Sequence, residues 1–475
     1  PSAYDEKYSK WKLEDLPIIP KQYKYEVVKA TRGQFNTLKK LMNTKEIEEV
    51  INACDAGREG ELIFRLVYEQ TGCKKNIKRL WISSMEDVAI KEGFRQLKEG
   101  KEYEALYQSA LARSKADWLV GMNMSRLYSL IYNQNYSVGR VQTPTLAMIV
   151  KRDDEIAVFK KEKYYTGELY CTGFTLSTDR IDSLEIVEDL VNVVGNTITV
   201  RNVEKKEKIT KPDLPFDLTT LQRECNKYFG YSAKQTLDYA QSLYEKKMIT
   251  YPRTDSRYLS IPESERKIYN LILNKLHASV GYPLIENITK IVAVYESQGD
   301  VFEFKASGKV ITDEGFTKYL KQYGSKKNED VVLPDLNVGD VLEIKDKEIK
   351  EKYTTPPKHF TEDTLLKAME TAGNDALEKG VEVERKGLGT PATRAGIIEN
   401  LISKDFIERD KKNLIATKKG KALIEIVEDN FKSAKTTAKW EIKLSDIALG
   451  KSSNEAFLSG IETEIKETIA KYQGR

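Results

Sequence analysis

The spacing of apolar residues along the chain predicts alternating strands and helices. Between residues 47 and 97 the pattern changes from strand to helix twice, and residues 50–54 form a short apolar run that fits a buried strand. Residues 163–205 and 298–352 alternate apolar and polar positions, which is typical of half-buried strands. This mixture predicts an α/β protein, and 475 residues are enough for several domains with separate cores.

Two further segments predict long helices, at residues 104–132 and 232–248. Pro252 follows the second helix and fixes one backbone dihedral, so the helix should end before it and Tyr251 should be extended. Gln241 and Glu245 lie four positions apart on that helix. Because residues at this spacing share a helix face, both should point toward the turn that carries Tyr251.

The C-terminal region predicts a helix followed by a β-hairpin. The string Gly387-Leu-Gly-Thr-Pro-Ala-Thr-Arg394 opens the helix, and residues 404–409 and 413–417 follow it as two short strands. This order is typical of a winged-helix module, which binds nucleic acid in some proteins and other proteins elsewhere. If it binds nucleic acid, three side chains are expected to face the nucleic-acid strand: Thr393, Arg394 and Lys404.

Composition restricts the class of protein. Charged residues make up 32% of the chain but the net charge is only +4, so DNA contact would depend on local basic surfaces. No apolar run approaches the roughly 20 residues of a membrane helix, and no signal peptide opens the chain. The four cysteines include no C-x-x-C pair, which argues against a zinc ribbon or a disulfide scaffold and favours a cytosolic protein.

The segment Tyr251-Pro252-Arg253 combines a nucleophile with a cation. A tyrosine hydroxyl has an ordinary pKa of about 10, and a nearby guanidinium favours the phenolate. The same cation can stabilise the negative charge of a pentacovalent phosphorane. The tripeptide therefore suits attack on a phosphodiester with formation of a phosphotyrosine, although the tripeptide alone is better explained as a Tyr-Pro turn with an exposed Arg.

Carboxylates follow the first predicted strand. Asp55 and Glu59 come just after residues 50–54, where the carboxyl ends of parallel strands commonly bind ligands. Oxygen ligands of this kind suit a divalent cation that retains several waters. The alternative is a helix N-terminus with acidic residues that the helix dipole stabilises. Glu61 is a weaker metal candidate.

A second loop suits phosphate binding. In the string Gly139-Arg-Val-Gln-Thr-Pro144, Thr143 and Pro144 are typical of the N-cap and first position of a helix. An arginine beside a helix N-terminus can hold a phosphate. The alternative is an ordinary helix cap with a surface arginine. The helices around Trp440 are interpreted as packing elements.

Four motifs together resemble the type IA DNA topoisomerases, and within that family the bacterial topoisomerase III enzymes. The motifs are the segment from Gln241 through Tyr251 to Leu259, the acidic string from Asp55 to Glu61, the loop from Gly139 to Pro144, and the C-terminal winged-helix pattern. The acidic string is similar to the metal motif of Toprim domains. The four occur in the family's order and cover nearly the whole chain.

The resemblance implies a role for each candidate residue. Tyr251 would be the nucleophile that takes the 5′ phosphate of a cut strand, with Arg253 as its electrostatic partner and with Gln241 and Glu245 in the same cleft. Mg²⁺ would bind at Asp55 and Glu59. The implied contacts to DNA come from five side chains: Arg140, Gln142, Thr393, Arg394 and Lys404.

The resemblance also implies an architecture, a multidomain α/β torus. A Toprim domain would cover residues 1–129, and a winged-helix-containing domain residues 130–162 with 356–475. A β arch would cover residues 163–215 with 299–355, and a second winged-helix-like (CAP-like) domain that carries the nucleophile residues 216–298.

The implied activity is ATP-independent relaxation or decatenation of DNA by cleavage, strand passage and religation. The implied partner is single-stranded or underwound DNA, with a helicase as a candidate second partner, and the implied state is a monomer without membrane association. The expected location is the bacterial cytoplasm, at the nucleoid or a plasmid.

The sequence departs from the family pattern at three places. Gly57 replaces the second Asp of the acidic motif, which weakens a two-metal proposal. No strand ending in a catalytic Glu precedes Val50, and no His-Ala-Ile-x-Pro-Thr string follows Ser260. Either this variant has lost these segments or the natural chain carries residues that this sequence does not include. We favour the second, because both flanks match the family.

Two other functions compete with a topoisomerase. A DNA-binding remnant that holds strands without cutting them would explain the missing Glu and His. A Toprim nuclease or primase would explain the acidic string, but it leaves Tyr251 and Arg253 without a purpose. Formation of a covalent adduct with a single-stranded oligonucleotide separates an enzyme from a remnant.

Overall fold

A computed structural model describes residues 2–82, 87–246, 248–249, 266–323, 331–373 and 387–473. Within them the strands are β1 Glu49–Asn52, β2 Asn76–Arg79, β3 Lys98–Glu99, β4 Lys163–Cys171, β5 Phe174–Ser177, β6 Thr197–Thr210, β7 Leu284–Ser297, β8 Asp300–Asp313, β9 Val341–Glu343, β10 Asp346–Tyr353, β11 Phe360–Thr361, β12 Ile407–Asp410 and β13 Asn413–Ala416.

The α-helices of the same residues are α1 Arg32–Met42, α2 Arg58–Thr71, α3 Asp87–Arg95, α4 Glu104–Tyr132, α5 Gln142–Ala157, α6 Leu184–Val193, α7 Leu218–Phe229, α8 Ala233–Glu245, α9 Arg266–Ser279, α10 Glu362–Thr371, α11 Pro391–Ser403, α12 Lys418–Ile426, α13 Asp429–Lys432, α14 Ala434–Ala448 and α15 Asn454–Gln473. Short 3₁₀ turns join several of these elements.

The chain divides into two compact units. The first contains Pro1–Asp153, Asp217–Ile261 and His359–Arg475, and the second contains Asp154–Phe216 and Pro262–Lys358. Every candidate site residue that the structure describes belongs to the first unit. In the described part of the chain, no helix is both long and apolar enough to cross a lipid bilayer.

The first unit is built around the long helix α4, which packs against α2, α14 and α15. Its bounds agree with the predicted helix at residues 104–132. Leu119, Met124 and Leu127 on this helix are fully buried in the main core. Burial of each such side chain stabilises the folded state by about 1.5–3 kcal/mol, so α4 provides a rigid support for the polar residues on its other face.

A small sheet of order β1-β2-β3 carries the acidic turn in the first unit. Strands β1 and β2 run parallel with α2 between them, as in a βαβ crossover. The predicted strand at residues 50–54 is displaced, because pairing with β2 ends at Asn52. It is also only partly buried, since β1 lies at the edge of the described sheet and Ile51 is exposed.

The predicted β-hairpin after α11 is present as β12 and β13, which pair antiparallel. Strand β11 adds to β13 and gives a three-stranded sheet of order β11-β13-β12. Phe406 and Leu414 anchor this sheet in the same core as α4.

The second unit is a seven-stranded antiparallel sheet of order β10-β4-β5-β8-β7-β6-β9. Its core contains Leu169, Leu176, Ile291 and Phe304. The β pattern predicted for residues 163–205 and 298–352 is confirmed by β4, β5, β6, β8, β9 and β10, but helix α6 interrupts the first range and both ranges omit β7. Strand β7 has one register irregularity against β8, between Ile285 and Glu286.

Candidate active site

Helix α8 leads toward the segment that contains Tyr251. Ser232 caps its N-terminus, and Gln235 completes a capping box. Gln241 and Glu245 share one face as expected, because Gln241 Nε2 donates a hydrogen bond of 3.0 Å to Glu245 Oε1. Tyr251 and Arg253, the predicted nucleophile and its cation, lie outside the described residues.

A buried arginine, Arg79, supports the acidic turn that begins at Asp55. Arg79 donates to the carbonyl oxygens of Cys54 and Asp55, each at 2.7 Å. A β-carbon on Gly60 would lie 2.1 Å from the Asp55 carbonyl oxygen, so only glycine lets the first turn of α2 pack this closely on Asp55. The fold therefore brings Asp55 and the first turn of α2, with Glu59, together.

Glu61 is a structural residue in this arrangement. Its carboxylate accepts hydrogen bonds from Asn52 Nδ2 at 2.8 Å and Arg65 Nε at 3.0 Å. The second oxygen also lies 3.2 Å from Arg79 Nε, and both side chains of that ion pair are buried. Since these donors occupy its oxygens, Glu61 is poorly suited to bind a metal.

Glu59 is the partly exposed carboxylate of the turn, with 47% of its side chain accessible. Arg113 Nη1 on α4 donates to Glu59 Oε1 at 2.6 Å. The described residues contain no cluster of three or more His, Cys, Asp or Glu side chains that could hold a metal. Asp55 and Glu59 thus offer two carboxylates, a donor set that fits a hard cation which keeps most of its water.

The second candidate motif supports Arg140 at the start of α5. The helix begins at Gln142, one residue earlier than the predicted cap at Thr143. Thr143 Oγ1 instead accepts a hydrogen bond from Gly139 N at 3.0 Å and closes the loop on itself. The shift is small because the Thr143 hydroxyl still satisfies a backbone donor just outside the helix.

Arg140 is held between two carboxylates. Its Nε donates to Asp117 Oδ1 at 2.8 Å and its Nη1 to Glu441 Oε1 at 3.0 Å, and only 7% of its side chain is exposed. Burial lowers the pKa of the guanidinium, but the two carboxylates outweigh burial and raise it. For Glu441, burial raises the pKa, and Arg140 and Arg58 outweigh burial and lower it.

A cavity of about 330 Å³ opens beside Arg140, and Gln142 and Thr393 also line it. Gln142 Nε2 donates to the Ser137 carbonyl oxygen at 2.8 Å, and Lys404 Nζ donates to Ser137 Oγ at 2.8 Å. Burial and the neighbouring Lys419 lower the pKa of Lys404. The structure thus gathers four of the five predicted DNA contacts around one loop.

Arg394 is placed differently from the other four. Its side chain is 3% exposed, and it donates to the Leu388 carbonyl oxygen at 3.2 Å and to Thr219 Oγ1 at 3.0 Å. In this arrangement it joins α11 to α7 rather than facing solvent. Its role in DNA contact stays a prediction.

Sequence reasoning missed Arg113, Asp117 and Glu441. All three line the cavity together with Arg140. Arg113 and Asp117 lie one turn apart on α4 and face the same direction, which was a usable signal. Glu441 had none, because its neighbour Trp440 belongs to the packing face of α14 and its arginine partners are far away in sequence.

Comparison with known proteins places these features in one family. The family model described as DNA topoisomerase matches residues 101–264 and 260–459. The chain is 37% identical to the DNA topoisomerase 3 proteins of Bacillus licheniformis and Bacillus subtilis (strain 168), over 99% of this chain and 75% of each relative. The corresponding protein of Bacillus anthracis matches with the same identity and coverage.

A solved structure shows the same fold. Full-length topoisomerase I from Thermotoga maritima superimposes with a TM-score of 0.75, covering 94% of this chain and 82% of the other, at 23% identity. The family match covers the Arg140 loop, and the 37% identity to the relatives extends over 99% of the chain, including the acidic turn. The chain therefore belongs to the type IA DNA topoisomerases, a family of isomerases that bind DNA, and is similar to bacterial DNA topoisomerase 3.

Proposed function

We propose that this protein cuts one DNA strand, passes another through the gap and reseals the cut without ATP, and so relaxes or decatenates DNA. The observation that carries the proposal is the ion-pair chain Glu59–Arg113–Asp117–Arg140. It joins the acidic turn to the Arg140 loop. These two motifs lie some 80 residues apart in sequence, and the sequence resemblance implies that they serve one reaction.

Tyr251 is the proposed nucleophile. Its oxygen forms a bond to the phosphorus of one phosphodiester while the bond from phosphorus to the 3′ oxygen breaks, and the 3′ oxygen leaves as a hydroxyl. The protein then holds the 5′ phosphate as a phosphotyrosine, and attack by the 3′ hydroxyl reverses the step. Arg253 stabilises charge on the phosphorane.

Gln241 and Glu245 support this chemistry from α8. Their mutual hydrogen bond presents an amide and a carboxylate on one helix face, next in sequence to the nucleophile segment. We assign them to the cleft in which the scissile phosphate binds, where Glu245 can accept and return a proton.

Asp55 and Glu59 are the proposed ligands of Mg²⁺. The close packing of Gly60 on Asp55 keeps the two carboxylates within one short turn, and both supply the oxygen donors that Mg²⁺ prefers. The bound cation supplies positive charge that holds the cleaved ends in place. Arg113, which donates to Glu59 Oε1 and lines the cavity beside Arg140, would compete with the cation for that oxygen.

The proposed path of the DNA strand follows the cavity at the Arg140 loop. Arg140, Gln142 and Thr393 line it, and Lys404 hydrogen-bonds to Ser137, another lining residue. We assign these four side chains to contacts with the phosphate backbone. Arg394 is retained as a contact that contributes little to affinity, because it would have to give up its hydrogen bond to Thr219 to reach the strand. The proposed substrate is single-stranded or underwound DNA.

The domain division also stays part of the proposal. We assign residues 1–129 to a Toprim domain, 163–215 with 299–355 to a β arch, and the remaining segments to two winged-helix-like domains of a torus. A helicase is proposed as a cooperating partner, and the active form as a monomer.

Covalent trapping tests the proposed function. The protein is incubated with a 5′-labelled and, in parallel, a 3′-labelled single-stranded oligonucleotide, and is then denatured. We expect only the label 3′ of the cut to remain on the protein, and we expect Tyr251→Phe to abolish the adduct while oligonucleotide affinity stays within about twofold. A wild-type protein that binds the oligonucleotide but releases all label is a strand-holding remnant, and the proposal is then wrong.

A further inference from the structure

Glu441 on α14 joins two arginines that come from distant parts of the chain. Its Oε1 accepts from Arg140 Nη1 at 3.0 Å and its Oε2 accepts from Arg58 Nη2 at 3.0 Å. Arg58 is the first residue of α2 and precedes the metal candidate Glu59. One carboxylate therefore touches both the acidic turn and the Arg140 loop.

The environment of Glu441 makes this bridge rigid. Only 7% of its side chain is exposed, and 2% of the Arg58 side chain. A buried carboxylate persists as a charge only when cations and hydrogen-bond donors compensate it. The low pKa of Glu441 fits this arrangement.

Helix α14 grips the Arg140 loop at two more points. Thr437 Oγ1 donates to the Arg140 carbonyl oxygen at 2.9 Å, and the Arg140 guanidinium carbon lies 5.6 Å from the centre of the Trp440 ring. One turn of α14 therefore contacts Arg140 at its backbone carbonyl, at the face of its guanidinium and at a guanidinium nitrogen. Such a grip restricts the directions in which Arg140 can present its remaining hydrogen atoms.

The opposite end of the bridge is equally well supported. Ser109 Oγ on α4 donates to the Leu444 carbonyl oxygen of α14 at 2.7 Å, and Arg58 Nη1 lies 3.5 Å from the same Ser109 oxygen. Helices α2, α4 and α14 therefore meet at Arg58. A change at Glu441 would be transmitted to both the acidic turn and the DNA-facing loop.

We propose that Glu441 is a positioning residue for strand cleavage, which sets the orientation of Arg140 toward the DNA backbone and its spacing from the acidic turn. This inference rests on the proposed function of Arg140 and the acidic turn. Glu441 does not itself touch DNA. Without its charge, Arg140 and Arg58 each lose their ion pair with Glu441, while Arg140 keeps its ion pair with Asp117.

The test compares variants of the full chain. Glu441→Gln preserves shape and removes the charge, and Glu441→Asp preserves the charge. Arg58→Gln/Glu441→Gln removes a buried cation together with its partner and so protects the fold. Glu399→Gln is the control, since Glu399 holds Arg409, an arginine outside the site. Each variant is assayed for thermal midpoint, metal-free oligonucleotide Kd by fluorescence anisotropy, and covalent adduct at saturating protein.

A positioning role predicts that Glu441→Gln raises the metal-free Kd about tenfold, the loss expected when a charge-assisted hydrogen bond is misdirected. The adduct per bound oligonucleotide should fall as well. The double variant should recover the thermal midpoint but not the affinity, and Glu441→Asp should recover part of the affinity. Glu399→Gln should match wild type in both assays.

A merely structural role predicts the opposite pattern: a lowered thermal midpoint in Glu441→Gln, with Kd and adduct per folded molecule unchanged. That result would overturn the inference. The two proposals fail separately. A wild type without any adduct refutes the cleavage proposal, whereas the metal-free Kd comparison still decides whether Glu441 orients Arg140.

Discussion

Arg113 Nη1 lies 2.6 Å from Glu59 Oε1, although 54 residues separate the two in sequence. Arg113 also approaches Asp117, whose other oxygen accepts from Arg140. The proposed metal ligand and the proposed phosphate contact are thus members of one chain of charges. A ligand that changes the charge at Glu59 should therefore change the electrostatic environment of Arg140.

Removal of Arg113 should strengthen metal binding. Glu59 cannot keep its contact with Arg113 and bind Mg²⁺ through the same oxygen, so the cation must compete with the guanidinium. We expect Arg113→Gln to bind Mg²⁺ several-fold more tightly in the absence of DNA, as measured by titration calorimetry. Arg95→Gln is the control, because Arg95 pairs with Glu92 on the exposed surface of α3. Unchanged or weaker Mg²⁺ affinity in Arg113→Gln would contradict the assignment of Glu59.

Two carboxylates that share Arg65 should differ in their effect on stability. Glu61 is buried and bonds to Arg65, Asn52 and Arg79, whereas half of the Glu104 side chain is exposed. We expect Glu61→Gln to lower the free energy of unfolding of the first unit by about 3–5 kcal/mol. Glu104→Gln should cost less than about 1 kcal/mol. Denaturant unfolding, monitored by hydrogen exchange of the α2 amides, measures both changes in free energy. Equal losses of stability in the two variants would mean that burial of the carboxylate does not determine the loss.

The second unit should lose stability in acid through Glu286. Hydrogen bonds from Lys309 and Lys208 lower the pKa of this carboxylate below that of an ordinary glutamate. A group with a lowered folded-state pKa stabilises the fold above its unfolded pKa of about 4.3 and loses that effect as pH falls through the folded value. Glu286→Gln should therefore be less stable than wild type at pH 7, and the difference should shrink below about pH 4. A difference in free energy of unfolding that stays constant with pH would refute this.

Lys404 should contribute one backbone contact to DNA binding. It hydrogen-bonds Ser137 in the Arg140 loop. Lys404→Gln should weaken binding to all oligonucleotide sequences alike and reduce the salt slope of log K by about 0.7, the value for one single-strand phosphate. Lys466→Gln on α15, where Lys466 pairs with Glu462, should leave the slope unchanged. An unaltered slope in Lys404→Gln would remove this residue from the DNA path.

Arg394 offers a contrasting case, because it is buried against Thr219. Arg394→Gln should lower the thermal midpoint clearly and leave the oligonucleotide Kd of the folded protein within about twofold. Circular dichroism and fluorescence anisotropy on the same sample separate the two effects. A large loss of affinity without a loss of stability would show instead that Arg394 leaves its buried position and reaches the strand.

Sequence patterns identified the candidate site residues because each motif is local. Asp55 and Glu59 share one turn, Gln241 and Glu245 share one helix face, and Arg140 with Gln142 shares one loop. The limits of α4 were also predictable, since a helix period over many residues is a strong signal. The edge strand β1 was placed less well, because its pairing partner is not visible in its own sequence.

The sequence by itself therefore determined the helix and strand class of most segments, and it supplied the proposed nucleophile segment and the residue types of the proposed metal and phosphate motifs. Only the tertiary structure decided that Glu61 is a structural residue, that Arg394 is buried, and that Glu441 holds Arg58 and Arg140 together. The physical reason is distance along the chain. A motif consists of residues that are close in sequence. Whether a charged side chain is buried and paired depends instead on distant groups that replace the water it loses on burial.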